Sequence, residues 1–408
     1  MRIVHVTQST VDEITGGLEY HVDYLATALK QLGHEVFIVS SRAVNRPIYP
    51  RPPDLAVAWF LPAFVRHRWD ALVETALMLG RRVSNLRHAT RVARNVESLR
   101  PDLVHQHSYV GEWRTYRLLA KKYPLVFTNH TGAYLHLDRW MPTRIWQRWL
   151  MKRFTMVIGP SRELTPKIDD SHYVPNGVDT KLFFPVSQCE RKSIYARYGL
   201  EGRRVFLCPR RWAPTKGIHY LAQAMRKLSQ TVRTGSVFVF AGNETPGYVR
   251  YQKSVRQALV VSGCEVRVLG NLSPPDLAQL MNVADVCIFP SLLEATSLAC
   301  LEAMACGTPV IGTRVGGLPE LIRHGENGWL VPARDAKALA AAIEHVHQLQ
   351  PAECEQIGEK GLVMVKDNYT WETTARHTEA VYQKALEKWK RGESAKASVF
   401  KTKKGNPG

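Results

Sequence analysis

Short apolar runs alternate with stretches of helical period along most of the chain. Ile3–Val6 reads as a buried strand, followed by a polar loop with Gly16 and Gly17 and a helix from about Leu18 to Leu32. Gly33 closes that helix, and His34–Ser40 is the next strand, so the opening is a βαβ unit. Pro101–His107, Leu125–His130 and Met156–Gly159 read as further strands. The alternation resumes with strand Val205–Cys208, helix Gly217–Leu228, and strands Ser236–Glu244 and Glu265–Ser273. A helix with proline at its start follows from Pro274, then strand Val283–Phe289, a loop with Glu294, helix Ser297–Cys306 and strand Thr308–Thr313. An Ala-rich helix, Ala336–Leu349, and a last helix, Thr370–Lys390, complete the pattern. Strands alternating with helices predict an α/β protein with parallel sheets. At 408 residues the chain exceeds the size at which one hydrophobic core stops growing, so two domains are expected.

Composition adds charge to this picture. Apolar residues make up 45% and charged residues 22%, ordinary for a globular protein, but the net charge is +19. Such a balance predicts an anionic partner: nucleic acid, a membrane surface or a phosphorylated substrate. No RNA-recognition signature, zinc-finger spacing or basic zipper is present, so nucleic acid is not expected. The excess concentrates in Arg42–Arg100, which holds eleven arginines, no lysine and four acidic residues among aromatics and aliphatics such as Trp59, Phe60 and Phe64. Asp70–Leu99 reads as one or two basic amphipathic helices, suited to an anionic membrane surface; ordinary packing with the arginines in water is the alternative. The stretch beyond Lys390 is polar, basic and ends in glycine and proline, and reads as a disordered tail. Seven cysteines without a C-x-x-C suggest reduced thiols in a cytoplasmic protein. The amino terminus lacks the layout of a signal peptide, and no apolar run reaches membrane-spanning length.

The chemistry centres on Pro290–Glu320. Glu294 lies in a loop at the carboxyl end of a strand, where open α/β sheets bind ligands, and Glu302 lies about one and a half turns into the next helix. The amides that open this helix, with its dipole, make an anion site. A nucleotide sugar needs such a set: a carboxylate for sugar hydroxyls, amides for a diphosphate, a second carboxylate for a ribose. Read alone, two glutamates eight positions apart favour solvated charges; the glycine and proline punctuation around them shifts the balance towards a site. The Gly16–Gly17 loop is not a G-x-G-x-x-G and is either a tight turn or a close backbone approach. His105 and His107 lack a third ligand at metal-binding spacing and read as satisfied core histidines.

The block Glu294–Val310 resembles the signature of the retaining glycosyltransferases of family 4, which have the GT-B fold and whose pattern is roughly E-G-F-G-L-x-x-x-E-A-M-A-x-G-x-P-V. Both glutamates and the A-M-A-C-G-T-P-V tail are kept. Ala295, Thr296 and Ser297 replace Gly-Phe-Gly. Arg211-x-x-x-x-Lys216-Gly217 is similar to the family's R-x-x-x-x-K-G, with Arg210 where a glycine is usual. The opening Gly-Gly loop, His130 in T-N-H-T-G, and the interdomain N-G-V-D (Asn176–Asp179) are similar too.

The resemblance implies two Rossmann-like domains facing across an interdomain cleft. Residues 1–178 form the acceptor-side domain, with 42–100 as a basic amphipathic insertion, and 179–369 the donor-binding domain. The helix 370–390 crosses back to the first, and 391–408 is the tail. The implied reaction is retaining transfer of a hexose or N-acetylhexosamine from a nucleotide diphospho-sugar, uridine favoured, to a lipid or lipid-linked acceptor in cell-envelope synthesis at the inner membrane face. Arg211 and Lys216 then neutralise the diphosphate, helped by the amides at Leu298 and Ala299. Glu302 holds the ribose, Glu294 binds sugar hydroxyls, Gly242 and Asn271 lie by the base, and His130 with Gly16 and Gly17 lines the sugar. No residue is placed as a double-displacement nucleophile. No D-x-D occurs, so neither a metal nor another cofactor is expected. A nucleotide-sugar 2-epimerase and an inactive membrane-bound partner of an assembly complex are the alternatives. Acceptor, linkage and oligomeric state are not legible.

Overall fold

The computed structural model describes residues 1–7, 10, 17–40, 86–107, 113–130, 141–242 and 248–404, without the side chains of 86–88, 113–114 and 393–404. The described chain falls into two compact units, one built from residues up to Pro175 together with the stretch from Trp371, the other from Asn176–Thr370.

The first unit runs β1 (Arg2–Thr7), α1 (Gly17–Gln31), β2 (Glu35–Ser40), α2 (Leu86–Ser98), β3 (Leu103–Gln106), α3 (Trp113–Leu119), β4 (Leu125–Thr128), α4 (Met141–Met151), β5 (Met156–Gly159) and β6 (Ser171–Tyr173). Its six strands form one parallel sheet in the order β2-β1-β3-β4-β5-β6. Strand β1 sits in the sheet's interior beside β3, which sets His5 directly opposite His105. A C-terminal helix (Trp371–Lys404) packs on this unit through Ala375, Val381, Tyr382 and Ala385.

The second unit continues α5 (Gln188–Tyr198), β7 (Arg204–Cys208), α6 (Ile218–Met225), α7 (Gln230–Gly235), β8 (Ser236–Ala241), α8 (Val249–Val260), β9 (Glu265–Gly270) and α9 (Pro274–Val283). Then come β10 (Val286–Phe289), α10 (Leu298–Ala305), β11 (Val310–Thr313), α11 (Leu318–Leu321), β12 (Gly328–Val331), α12 (Ala336–Gln348) and α13 (Pro351–Asn368). The sheet is again parallel, ordered β12-β11-β10-β7-β8-β9. Alternate residues serve opposite faces. Leu207, Val239, Cys287 and Phe289 pack under α9 and α10. Phe206, Phe238, Phe240 and Ile288 pack under α6 and α12. Covering both faces is why these strands read as unbroken apolar runs.

Two expectations change. The last helix continues to Lys404 instead of giving way to a disordered tail after Lys390. The segment Arg391–Lys404 contains no proline and is rich in alanine, lysine and other helix formers; Gly392 alone costs only about 1 kcal/mol, and the breaking residues come at Gly405 and Pro407. Within the Arg-rich stretch, α2 turns Ala89, Val92, Ala93 and Val96 into the core and Arg91 and Arg94 to water. This part therefore follows the ordinary-packing alternative; residues 42–85, with the apolar run around Trp59, lie outside the described residues. Among the described residues, no helix is long and apolar enough to cross a membrane. All seven cysteines are free thiols, and only Cys189 is exposed.

Candidate functional site

In the second unit the strand-end loop after β10 is clamped between those after β7 and β11. Leu292 N donates to Thr215 O at 2.8 Å, and Thr313 Oγ1 donates to Ser291 O at 2.6 Å. Two glycines make the fit possible. A Cβ on Gly217 would lie 1.8 Å from Pro290 O, and one on Gly316 1.8 Å from Glu294 O; both residues have positive φ, where side chains are strained. The result places Arg210 and Lys216, from the β7 side, against Glu294 from the β10 side.

Glu294 is buried and engaged at both carboxylate oxygens, Oε2 more heavily than Oε1. Lys216 Nζ donates to both carboxylate oxygens at 3.0 Å, Ser291 Oγ donates at 3.1 Å, and the Arg210 guanidinium makes a direct ion pair with it. Arg210, standing where a glycine is usual, is buried, and besides Glu294 it donates to Ser291 Oγ at 3.0 Å and Ser297 Oγ at 3.2 Å. Ser297 is itself one of the residues replacing the family's Gly-Phe-Gly. Two departures from the family pattern, 87 positions apart, thus contact each other. Burial pushes the Arg210 guanidinium down to about 10. Burial, with Arg210 and Arg211 nearby, pushes the Lys216 ammonium well below its ordinary value. Arg211 is exposed beside this buried core.

Helix α10 starts at Leu298 with Ser297 as its N-cap. Ser297 makes no capping hydrogen bond, because its hydroxyl faces Arg210. The amides of Leu298 and Ala299, as the first two residues of the helix, have no carbonyl partner within it. Both residues are half-buried rather than sealed. Glu302 follows one turn on. Burial pushes its carboxyl up to about 7, partly offset by Arg210, so it titrates near neutrality instead of behaving as a solvated helix charge. Gly242 follows β8 and its N–H donates to Gly270 O at 2.6 Å; Asn271, exposed, follows β9. Both lie at the carboxyl edge of the sheet that also carries Arg211 and Glu294.

In the first unit, Gly17 is the exposed first residue of α1, and Gly16 lies outside the described residues. His130 stands two residues beyond β4, half-buried. It belongs to a constellation that sequence spacing did not show. Its Nε2 lies 3.0 Å from His107 Nδ1, and His107 Nε2 lies 2.8 Å from His5 Nδ1. His105 is held at both nitrogens, by Tyr382 Oη at 2.6 Å and Thr128 Oγ1 at 2.7 Å, and Tyr382 Oη reaches His5 Nε2 at 3.5 Å. His21 from α1 packs edge-on against His130, ring centres 4.4 Å apart. Burial pushes His5 down to about 3, and His105, His107 and His130 well below the ordinary histidine range, so these imidazoles are neutral at pH 7.

The missing third ligand for His105 and His107 therefore exists. Two sets, His5–His105–His107 and His21–His107–His130, bring ring nitrogens within 4.8 Å of one another. A transition metal would take such neutral imidazoles. As placed, however, the rings meet end to end: centres 5.0 and 5.3 Å apart accompany the 2.8 and 3.0 Å contacts, so each bond lies along the line joining two rings. That is the geometry of hydrogen-bonded imidazoles. The signal available in the sequence was the H-x-H of β3; its partners needed the strand order.

Comparison with known proteins follows the same division. The family pattern described as Glycosyl transferases group 1 matches residues 190–363, and that described as Glycosyltransferase Family 4 matches 15–182. The chain is 26% identical over 408 residues to a glycogen synthase of Mycobacterium tuberculosis, covering 96% of each. It is 32% identical over 240 residues, 59% of this chain and 67% of the relative, to the lipopolysaccharide core biosynthesis mannosyltransferase LpcC of Rhizobium leguminosarum bv. viciae. Among solved structures, Anabaena HepE in complex with UDP and glucose superposes with a TM-score of 0.71 at 20% identity, covering 94% of this chain and 99% of that one.

Proposed function

The chain belongs to the family 4 glycosyltransferases, with the GT-B fold, and on that premise we propose that it transfers a hexose or N-acetylhexosamine, with retention, from a nucleotide diphospho-sugar to a lipid or lipid-linked acceptor. One observation carries this reading: Glu294 locked by Arg210 and Lys216 beside the exposed Arg211 and the open amides of α10. Loss of a sugar from a diphosphate needs its charge neutralised as the bond breaks. Arg211, Lys216 and the amides at Leu298 and Ala299 supply that positive field from protein groups alone. An arriving diphosphate favours the charged form of Lys216, against the burial that opposes it. A uridine donor is supported by the UDP found in HepE, and a lipid-linked acceptor by the role named for LpcC.

Retention is supported by what Glu294 cannot do. A carboxylate paired with two cations is a poor nucleophile, so it suits holding sugar hydroxyls better than forming a glycosyl-enzyme bond. The step then runs on one face of the sugar. The anomeric carbon–oxygen bond to the diphosphate breaks, the acceptor oxygen bonds the same carbon from the same side, and its proton passes to the leaving phosphate oxygen. Glu302 holds the ribose hydroxyls, and Gly242 and Asn271 border the base.

Thermal shift with a panel of nucleotide diphospho-sugars, wild type beside Lys216→Ala, tests the donor assignment. One donor is expected to raise the melting temperature of wild type and not of the variant. Proton NMR of the product then reads the anomeric configuration. A panel that stabilises neither protein, or an inverted product, refutes the donor site or the retaining course respectively.

A further inference from the structure

Helix α4 is amphipathic in the wrong sense for a helix that only packs. Its buried face holds Thr143 and Gln147 beside Leu150 and Met151. Its outer face carries Met141, Ile145 and Trp149, which are 61%, 62% and 50% exposed. Those three positions recur every four residues and so stand one above another. Arg144 and Arg148 run along one flank of the stripe. On the other, Arg153 lies over the Trp149 ring at 3.7 Å from its centre. Lys152 extends the same face, and no acidic residue occurs between Met141 and Arg162.

We propose that α4 is a membrane-docking surface, lying in the plane of an anionic bilayer with Met141, Ile145 and Trp149 among the acyl chains and Arg144 and Lys152 at the lipid phosphates. The apolar stripe flanked by cations is what in-plane helices present to such a surface, and a tryptophan with an arginine stacked on it suits the boundary between headgroup and acyl chain. Nucleic acid would be satisfied by the cations and would leave Ile145 and Met141 without purpose. The chain's net charge of +19 adds long-range attraction to the same partner. This surface deepens the lipid-acceptor reading and rests on it for its use, since docking would hold the enzyme where such an acceptor lies. Its test needs neither donor nor acceptor.

The experiment is co-sedimentation of the full chain with phosphatidylcholine vesicles, with and without phosphatidylglycerol, at fixed salt. Wild type is compared with Ile145→Ser/Trp149→Ser and with Arg144→Gln/Lys152→Gln; circular dichroism and the donor thermal shift check that both variants are folded. Wild type is expected to bind the anionic vesicles and not the neutral ones, and each variant to lose about tenfold or more in partitioning. Acyl chains carrying bromine should quench wild-type fluorescence more than that of Trp149→Phe. Folded variants that bind as wild type does, or a wild type that ignores anionic vesicles, overturn the proposal. So does a wild-type dimer abolished by Ile145→Ser/Trp149→Ser, which would assign the stripe to a second copy. Vesicle binding through α4 without any donor shift would instead overturn the transferase reading and leave the surface standing.

Discussion

Removing the Arg210 guanidinium while keeping its aliphatic bulk, as in Arg210→Met, isolates what this buried cation does. The substitution takes away the ion pair to Glu294 and the hydrogen bonds to Ser291 and Ser297. Glu294 then remains buried with Lys216 as its one cation, both contacts at 3.0 Å. Breaking one side of a buried pair costs about 3–5 kcal/mol, because a charge is left behind without its partner. Lys216 offsets part of this, so roughly 3 kcal/mol is expected. Glu294→Gln alone leaves Arg210 and Lys216 crowded without their anion and should cost a similar amount. The double variant removes the charge and its buried partner together, and replacing both members of such a pair is close to neutral. The two losses should therefore not add, and the coupling should be about 2 kcal/mol or more. Urea unfolding of the four proteins, followed by a probe of the second unit, measures the cycle. Additivity within about 0.5 kcal/mol would refute the account of Arg210 as the partner of Glu294. The same variant has a functional reading: Lys216, drawn fully to Glu294, is less available to a diphosphate, so the donor KM should rise more than kcat falls.

Two further predictions rest on protonation. Glu302 is raised by burial from 4.5 to about 7, so its stabilising neutral form is present in full below pH 4.5 and its contribution is lost as pH rises towards 7, by roughly 3 kcal/mol in total. Glu302→Gln should therefore be more stable than wild type at pH 8 and indistinguishable from it near pH 4; equal melting temperatures at both would sink this. The histidine set works the other way: His5, His105, His107 and His130 stay neutral in the fold, so their contribution is full above 6.5 and is lost as pH falls below it, by about 1.4 kcal/mol per pH unit for each imidazole. Hydrogen exchange in β1 and β3, corrected for its intrinsic pH dependence, should show the first unit opening more readily at pH 5.5 than at pH 7.5 while β10 does not follow; unchanged protection would refute it.

The parallel strands were legible because sheets covered on both faces need unbroken apolar runs, and Val205–Cys208 and Val286–Phe289 are such runs. Strand β6, Ser-His-Tyr, carries no such signal and is placed only by pairing with β5. Helix α4 escaped for a related reason: Met141, Ile145 and Trp149 face outward while Thr143 and Gln147 are buried with Leu150 and Met151, so its periodicity says little about where the core lies. At the site, residue types and spacing after β10 pointed to Glu294 and Glu302, and the family resemblance to Arg211 and Lys216, but neither to what each would touch. His107 meets His5 across 102 positions because the chain inserts β1 beside β3, a fact of strand order that no local window contains. Arg210 makes the same point about departures from a family pattern. Taken singly, an arginine in place of glycine and a serine in place of glycine read as two unrelated disturbances of the donor loop. In the fold they form one hydrogen-bonded unit beneath Glu294, each supplying what the other requires: the buried guanidinium needs acceptors, and the serine that caps α10 without a capping bond needs a donor. A departure explained by a second departure is a change in how the site is built, and it leaves Arg211 exposed and the amides of α10 open, the groups that the proposed reading assigns to the donor diphosphate.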